Sequence, residues 1–214
     1  MSKTYSLDAS MDIIYQIGLS LIPGFQLLEN DLKIYRALIM YFHDDPEFEK
    51  LNSNYGLDKG ILLRGNIGTG KSRVFEIFNQ YVKKNNPLKK YRIVKTSDVT
   101  DDFYENGIPA IYKHTSFSFK KDLYNNADYK FPLTKCYDDL GLEPKIVKCY
   151  GNERNVMADI LLKRYDFFIM YGMKTFITTN YNADDIELNY GDRLRSRLRE
   201  MCNDLVYEGK DRRR

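Results

Sequence analysis

The sequence has no tryptophan and, among its 214 residues, only two histidines and three cysteines. The cysteines, Cys136, Cys149 and Cys202, are odd in number and lack C-x-x-C spacing. They therefore predict neither a disulfide framework nor a zinc site. Cysteines of this kind are typical of reduced, mostly buried thiols in a cytoplasmic protein.

Long uninterrupted apolar stretches are also missing. The most apolar N-terminal segment, residues 13–28, is interrupted by Gln16, Ser20, Pro23 and Gln26 and has no clear cleavage site. Neither a membrane span nor a signal peptide fits this pattern. We therefore expect a cytoplasmic protein without a membrane partner.

Neither sign of charge predominates strongly, since the formal net charge is only +3. That value permits an anionic partner but does not demand one. Hydrophobic content of 43% and charged content of 29% are ordinary for a soluble globular chain. There are no internal repeats, and the only biased segment is the basic tail at residues 212–214.

The strongest motif follows a short apolar run at residues 61–63. It reads Gly65-Asn66-Ile67-Gly68-Thr69-Gly70-Lys71-Ser72 and fills the G-x-x-x-x-G-K-[ST] pattern throughout. Its glycines let backbone N–H groups turn inward on a phosphate, Lys71 reaches the β- and γ-phosphates, and the Ser72 hydroxyl is placed for Mg²⁺. We predict nucleotide binding by residues 65–72 and by Arg73, which follows them. A flexible glycine-rich turn is the alternative.

From about residue 56 the pattern alternates between strand and helix, which predicts an α/β fold with a parallel sheet flanked by helices. Helices are expected at 72–83, 97–103, 152–165 and 192–201, and five strands at 61–63, 91–94, 133–137, 175–179 and 205–207.

Residues 113–132 suggest loops with a short helix. Residues 1–55 are expected to form a helical extension, with Asn30 capping its second helix, and residues 56–214 the nucleotide-binding domain. The extension is either a packed cap or a docking module for a partner.

Polar residues follow the third and fourth predicted strands. Asp138 fits the acidic residue that helps to hold Mg²⁺ in P-loop enzymes, and Asp139 could accept a proton from the attacking water. Asn180 could orient that water or touch the γ-phosphate. Solvated acids at a strand end, and a turn-forming asparagine, are the alternatives.

An arginine run at residues 193–199 lies on a predicted helix. Arg193 and Arg197 lie one above the other, and Arg195 and Arg199 occupy another face. One arginine inserted into a neighbouring subunit's site would stabilise transition-state charge, an effect that reaches about 10³–10⁵ in rate. A solvated helix face and a nucleic-acid contact are the alternatives.

From Lys59 onward the chain resembles the AAA+ ATPases of the DnaC/IstB-like group, the bacterial helicase loaders and transposition helpers. The matching segments, in order, are KGILLRGNIGTGKS (59–72), YDDLG (137–141), ILLKRY (160–165), TTN (178–180) and YGDRLRSRL (190–198). The segment between the second and third predicted strands is too divergent to carry residues over. Lys113, Lys120 and Lys121 in that segment are only hypothetical DNA contacts.

The resemblance implies a P-loop core without a C-terminal lid domain, and it implies a role for each motif. Lys71 and Ser72 would serve phosphate and Mg²⁺, Asp138 and Asp139 the metal and the attacking water, and Asn180 would be a sensor. Arg197, or less readily Arg193, would be the finger that reaches into the neighbour's site. An arginine that senses the γ-phosphate is expected after the last strand, at Arg213 or Arg212.

The function implied by the resemblance is ATP hydrolysis with Mg²⁺ in DNA replication. Subunits of a homo-oligomer would share ATP sites, and the assembly would load or remodel a replicative helicase on single-stranded DNA. A transposition helper that recruits a transposase has the same core and a different partner. A DNA-binding switch with negligible turnover is a further alternative, whereas a small-molecule kinase is disfavoured because no arginine-rich lid is evident.

Overall fold

The computed structural model describes residues 5–121 and 128–212, which form eight α-helices and nine strands. In chain order they are α1 (Leu7–Leu21), α2 (Glu29–Phe42), β1 (Gly60–Arg64), α3 (Lys71–Asn85), β2 (Arg92–Lys95), α4 (Thr96–Asn106), α5 (Ile108–Thr115), β3 (Phe117–Lys121), β4 (Asp128–Pro132), β5 (Lys135–Leu140), β6 (Val147–Cys149), β7 (Asn152–Arg154), α6 (Val156–Tyr171), β8 (Thr175–Thr179), α7 (Ala183–Tyr190), α8 (Asp192–Met201) and β9 (Cys202–Val206). None of the helices within these two ranges is both long and apolar enough to cross a membrane.

The central sheet has five strands in the order β2-β5-β8-β1-β9, and every neighbouring pair is parallel. This confirms the predicted α/β class and the predicted strand number. In the register, Leu63 of β1 lies between Thr178 of β8 and Leu205 of β9. The carboxyl ends of β1, β5 and β8 therefore meet at one edge of the sheet, where open α/β sheets bind their ligands.

Helices cover both faces of this sheet, so its central strands are apolar on both sides. On β1, Ile61 and Leu63 face a cluster formed with α1, α2 and α3, while Leu62 faces a second cluster formed with α4 to α8. The first cluster contains Phe176 of β8, which packs against Phe75 at 5.5 Å and Tyr91 at 4.9 Å between ring centroids. The N-terminal helices thus share a core with the sheet. The domain boundary near residue 55 remains a prediction.

Several element boundaries differ from the sequence-based expectation. Residues 113–132, expected as loops with a short helix, include the end of α5 and the strands β3 and β4, which pair as an antiparallel hairpin. This hairpin was missed because its alternation is polar and aromatic; Phe117 packs on Phe167 of α6 at 4.9 Å. The expected helix start at residue 152 was also wrong, because Asn155 caps α6 by accepting a hydrogen bond from the Ala158 amide.

The predicted cap of α2 is another correction. The helix begins at Glu29, so Asn30 lies inside its first turn, and the N-cap position is Leu28. Asp31 satisfies the N-terminus instead, because its Oδ2 accepts a 2.7 Å hydrogen bond from the Leu28 amide. The identity of the capping residue matters for the site, since Asp31 is fully buried and has further hydrogen-bond partners there.

Candidate nucleotide site

The phosphate-binding motif forms the loop between β1 and α3, as predicted. Gly68 and Gly70 adopt left-handed backbone angles, with φ of +78° and +100°, which other residues adopt only with strain. The Thr69 side chain is buried and donates to the Asn66 carbonyl at 3.0 Å, which holds the loop in its curved form. Because α3 begins at Lys71, its N–H groups and partial positive charge point at the loop.

Lys71 is 4% exposed, and its Nζ donates three hydrogen bonds. Two go to loop carbonyls, Gly65 O and Asn66 O, each at 2.8 Å, and the third goes to Asn180 Oδ1 at 2.5 Å. A lysine ammonium has three N–H groups, so these bonds use all of them. The predicted sensor and the predicted phosphate lysine, 109 positions apart in the sequence, are therefore in direct contact.

Asp138 and Asp139 lie inside β5, at an irregularity in its pairing with β8. Tyr137 pairs with Ile177 and Leu140 with Thr179, so three steps along β5 match two along β8. The extra residue forms a bulge, a feature that redirects side chains in strands. Asp139 has φ of +60°, an uncommon conformation for a residue with a side chain. In a regular strand two consecutive carboxylates would face opposite sides of the sheet, and the bulge breaks that alternation.

Thr178 of β8 joins the two acidic residues. Its Oγ1 donates to Asp138 Oδ1 at 2.7 Å and accepts from the Asp139 amide at 2.8 Å. Asp138 is 6% exposed, so this hydroxyl fixes a carboxylate that is nearly buried. The Asp139 carbonyl in turn accepts a 2.9 Å bond from Thr96 Oγ1 at the start of α4. Sequence analysis missed Thr178 and Thr96, because a threonine in a strand or first helical turn is usually a packing choice.

The residues predicted to hold Mg²⁺ supply suitable donors. Ser72, in the first turn of α3, offers a hydroxyl, and Asp138 offers a carboxylate; both are the hard oxygen ligands that Mg²⁺ takes. No group of three or more acidic, cysteine or histidine side chains is gathered for a metal in the part of the chain that the structure describes. A site with one or two protein ligands completed by phosphate oxygens and water fits that finding. Arg73 is exposed and pairs with Glu76 at 2.5 Å along the surface of α3.

The arginines of α8 have different surroundings. The Arg197 guanidinium carbon lies 4.0 Å from the centre of the Tyr165 ring, a cation–π contact that leaves the side chain partly exposed. Arg195 pairs with Glu187 and, at 3.5 Å, with Asp184 on α7. Arg193 is exposed. Arg195 is therefore paired with carboxylates of its own chain, whereas Arg197 contacts only an aromatic ring among the contacts described and is partly exposed, and Arg193 is exposed.

The two predicted γ-phosphate sensors lie at the end of the chain, and only Arg212 is among the described residues; Arg213 lies outside them. The Arg212 guanidinium forms a fork on Asp31 of α2, with Nη1 3.0 Å from Oδ2 and Nη2 on Oδ1. Its backbone amide donates to Gly68 O at 3.1 Å. Arg212 thus contacts the phosphate loop through its main chain. No sequence signal pointed to Asp31, its partner.

Two of the hypothetical DNA contacts, Lys120 and Lys121, lie on β3 of the hairpin. The third, Lys113 of α5, has its Nζ 2.8 Å from Asp102 Oδ2 on α4. Its charge is therefore partly neutralised within the chain. None of the three lies on the elements that form the phosphate loop.

Comparisons with solved structures support the fold. The DnaC helicase loader superimposes with a TM-score of 0.59 over 91% of this chain and 98% of that chain, at 17% identity. A protein described as a primosome component from Streptococcus pyogenes serotype M3 gives 0.55 over 92% and 89%, at 20% identity. AMPPCP-bound DnaA from Aquifex aeolicus gives 0.54 over 86% of this chain and 48% of that chain, at 14% identity. No family model and no curated relative matches the sequence. At these identities the similarity establishes the fold alone, a parallel α/β sheet flanked by helices, as expected from the resemblance.

Proposed function

We propose that this protein binds and hydrolyses ATP, and that it acts in DNA replication by loading or remodelling a replicative helicase. The observation that carries the proposal is the 2.5 Å hydrogen bond between Lys71 and Asn180. It lies at the edge of the sheet where β5, with its acidic bulge, also ends. A phosphate loop alone would indicate only nucleotide binding. Because Asn180, directly after β8, contacts the loop lysine, the site also has a means to respond to the γ-phosphate.

Each side chain has a distinct task in this proposal. The loop N–H groups and the N-terminus of α3 bind the phosphates, and Lys71 transfers its hydrogen bonds from loop carbonyls to phosphate oxygens. Mg²⁺, held by Ser72 and Asp138, would neutralise charge on the β- and γ-phosphates. Asp139 accepts the proton of the water that attacks the γ-phosphorus, and Asn180 orients that water. Thr178 holds the Asp138 carboxylate and the Asp139 backbone, which allows the two acidic residues to serve different tasks.

We further propose that the site is shared between two copies of the chain. Arg197 is partly exposed and lies on a face of α8 that is not neutralised by α7, unlike Arg195. Inserted beside a neighbour's γ-phosphate, its guanidinium would stabilise the charge that develops in the transition state. Hydrolysis would then require assembly, and assembly on single-stranded DNA would control turnover.

The replication role rests on the similarity to a helicase loader and to a primosome component. Residues 1–55 are the proposed partner-docking segment. On α1, four large apolar side chains are 37–43% exposed, namely Ile13, Tyr15, Leu19 and Leu21. These side chains offer a docking surface for the helicase. A transposase as the partner is the competing reading.

The experiment that tests the proposal is ATP hydrolysis by the full chain, with and without single-stranded DNA, combined with affinity capture from the native host. We expect Mg²⁺-dependent turnover that Lys71→Ala abolishes, and capture of a replicative helicase that Ile13→Ser with Leu19→Ser weakens. Turnover that survives Lys71→Ala would refute the site. Capture of a transposase would favour the competing partner, and binding without turnover under all conditions would indicate a nucleotide-controlled switch.

A further inference from the structure

The guanidinium of Arg197 lies on the ring of Tyr165, a residue of α6. Its central carbon is 4.0 Å from the ring centre, well inside the roughly 6 Å over which a ring face attracts a cation. Among the contacts described, Arg197 has this ring and no carboxylate, whereas Arg195 on the same helix pairs with Glu187. The ring is therefore the described contact that limits where the Arg197 side chain can go.

Tyr165 is itself held in place from several sides. It is 6% exposed and belongs to the buried cluster that also contains Leu194 and Leu198 of α8. Its hydroxyl donates a 2.7 Å hydrogen bond to Glu200 Oε2, in the last turn of α8. Phe168, one turn later on α6, lies beside it with 6.5 Å between the ring centres. The ring is thus a fixed platform beneath a partly exposed guanidinium.

The course of the chain places this pair away from the phosphate loop of its own subunit. The loop follows the carboxyl end of β1, and β9 runs parallel to β1 with Cys202 beside Gly60. Helix α8 ends at Met201, directly before β9, so its last turns lie toward the opposite edge of the sheet from the loop. Arg197 is four residues, or about 6 Å, from that end of the helix. Tyr165 therefore holds the guanidinium at a surface that does not face its own nucleotide site.

We propose that Tyr165 is a positioning residue whose ring fixes the Arg197 guanidinium in the orientation in which it enters the nucleotide site of a neighbouring copy. This inference rests on the proposed shared site and adds the residue that orients its arginine. A free arginine side chain loses the freedom of several rotatable bonds when an interface orders it, and this loss weakens the interaction. Stacking on a buried ring removes much of that cost before the two copies meet. Tyr165 thus acts on turnover through Arg197.

The test compares two replacements of Tyr165 in the full chain. Tyr165→Leu removes the ring and is expected to lower ATP turnover about fivefold to tenfold, the usual cost of ordering one long side chain, with an unchanged dissociation constant for ATP. Tyr165→Phe keeps the ring face and loses only the hydroxyl, so it should retain most of the turnover. Tyr171→Leu removes another ring of α6 and is the matched control. It is expected to behave as the wild type, because the ring contacts described for Tyr171 are with Phe117 and Phe167.

Mixing variants separates an effect on the arginine from a loss of stability. Tyr165→Leu mixed with Lys71→Ala should regain turnover per intact loop, because the Lys71→Ala copy supplies a well-oriented Arg197. Mixed with Arg197→Ala it should not, because the only Arg197 available is then its own. A subunit that is merely less stable would not distinguish between these two partners. Equal turnover per intact loop in the two mixtures would therefore overturn the inference.

Wild-type turnover in Tyr165→Leu would also overturn it, and so would faster turnover, which would mean that the ring holds the guanidinium back. An equal loss in Tyr165→Phe would assign the effect to the hydroxyl and its bond to Glu200, and would overturn the role of the ring. Tyr165→Met makes the same measurement should Tyr165→Leu fail to fold. If the shared site itself is wrong, Arg197→Ala will turn over ATP as the wild type does. If only the role of Tyr165 is wrong, Arg197→Ala will lose turnover while Tyr165→Leu does not.

Discussion

The Nζ of Lys71 donates a 2.5 Å hydrogen bond to Oδ1 of Asn180, so the lysine of the phosphate loop is in direct contact with the residue that follows β8. In the absence of nucleotide this bond completes the hydrogen bonding of a nearly buried ammonium. In the proposed reaction a phosphate would replace Asn180 as the partner of Lys71, and the Asn180 amide would then orient the attacking water. Lys71 and the attacking water would therefore be alternative partners of the Asn180 amide.

Replacing this amide should affect turnover more than binding. We expect Asn180→Ala to reduce the ATPase rate by about 10²-fold, the usual cost of losing a group that positions the reactants, while the dissociation constant for ATP changes by less than about threefold. Single-turnover hydrolysis and equilibrium titration measure the two quantities. Asn54→Ala, an exposed asparagine outside the site, is the control. Equal losses in affinity and rate would instead indicate a role in binding only.

Thr178 should be needed for both stability and catalysis. Thr178→Val keeps the shape but removes the hydroxyl that accepts from the Asp139 amide and donates to the Asp138 carboxylate. We expect a loss of about 1–3 kcal/mol in the free energy of unfolding, measured by urea denaturation, and a clear fall in turnover. Thr178→Ser retains the hydroxyl and should recover most of both. Failure of serine to recover activity would mean that the methyl group, and not the hydroxyl, matters.

Arg197 should act on the neighbouring subunit. Arg197→Ala is expected to bind ATP as the wild type does and to lose turnover by about 10³-fold or more. Mixed with Lys71→Ala, it should regain activity, because one mutant supplies an intact loop and the other an intact finger. Arg199→Ala, on another face of α8, is the control. Two inactive mutants that remain inactive after mixing would contradict the shared site.

Lys135 should make stability depend on pH. Burial, together with the smaller effects of the nearby cations Arg164, Arg92 and Lys113, lowers its pKa to about 7. Between about pH 7 and the usual lysine value, the unfolded chain binds a proton that the folded chain does not, so stability rises with pH. A neutral amine still has two N–H groups for its two acceptors, Lys113 O at 2.8 Å and His114 O at 2.9 Å.

The measurement for this prediction is urea denaturation at pH 7 and pH 9 for the wild type and Lys135→Met. The wild type should gain about 1–2 kcal/mol relative to the variant over this interval. Methionine leaves the two carbonyls unpaired, but that loss is the same at both pH values. A constant difference between the two proteins would mean that Lys135 keeps its charge throughout.

Phe176 should be the most sensitive position of the sheet core. It is 2% exposed and contacts aromatic side chains from α2, α3 and the segment before β2. Phe176→Ala is expected to lower the free energy of unfolding by about 3–5 kcal/mol, because it leaves a cavity that rigid rings cannot fill. Leu88→Ala, at a side chain that is 93% exposed, should change it by less than about 0.5 kcal/mol. Thermal denaturation of both variants tests the difference.

Local patterns predicted the parts of the fold that depend on short-range signals. The phosphate loop is contiguous and rich in glycine, so its strand, turn and helix were evident from residues 60–72. The strand at residues 175–179 was equally clear, because a β-branched apolar run of that length favours a buried strand. The β3–β4 hairpin and α7 were missed because their residues show neither clean alternation nor a strong helical period. The helix α6 starts at Val156, and not at residue 152, because the side-chain cap at Asn155 outweighs the weaker pattern before it.

The sequence by itself determined which chemistry is present: a phosphate loop, an acidic pair, a polar strand end and an arginine-rich helix. Only the tertiary structure decided how these parts meet. The bulge at Asp138 and Asp139 arises from pairing with β8, and neither residue shows it alone. Asp31 and Arg212, separated by most of the chain, form an ion pair because the segment after β9 returns to α2 past the phosphate loop. Motifs are local in sequence and were found there, whereas hydrogen bonds and charges act between neighbours in space, and the fold chooses those neighbours.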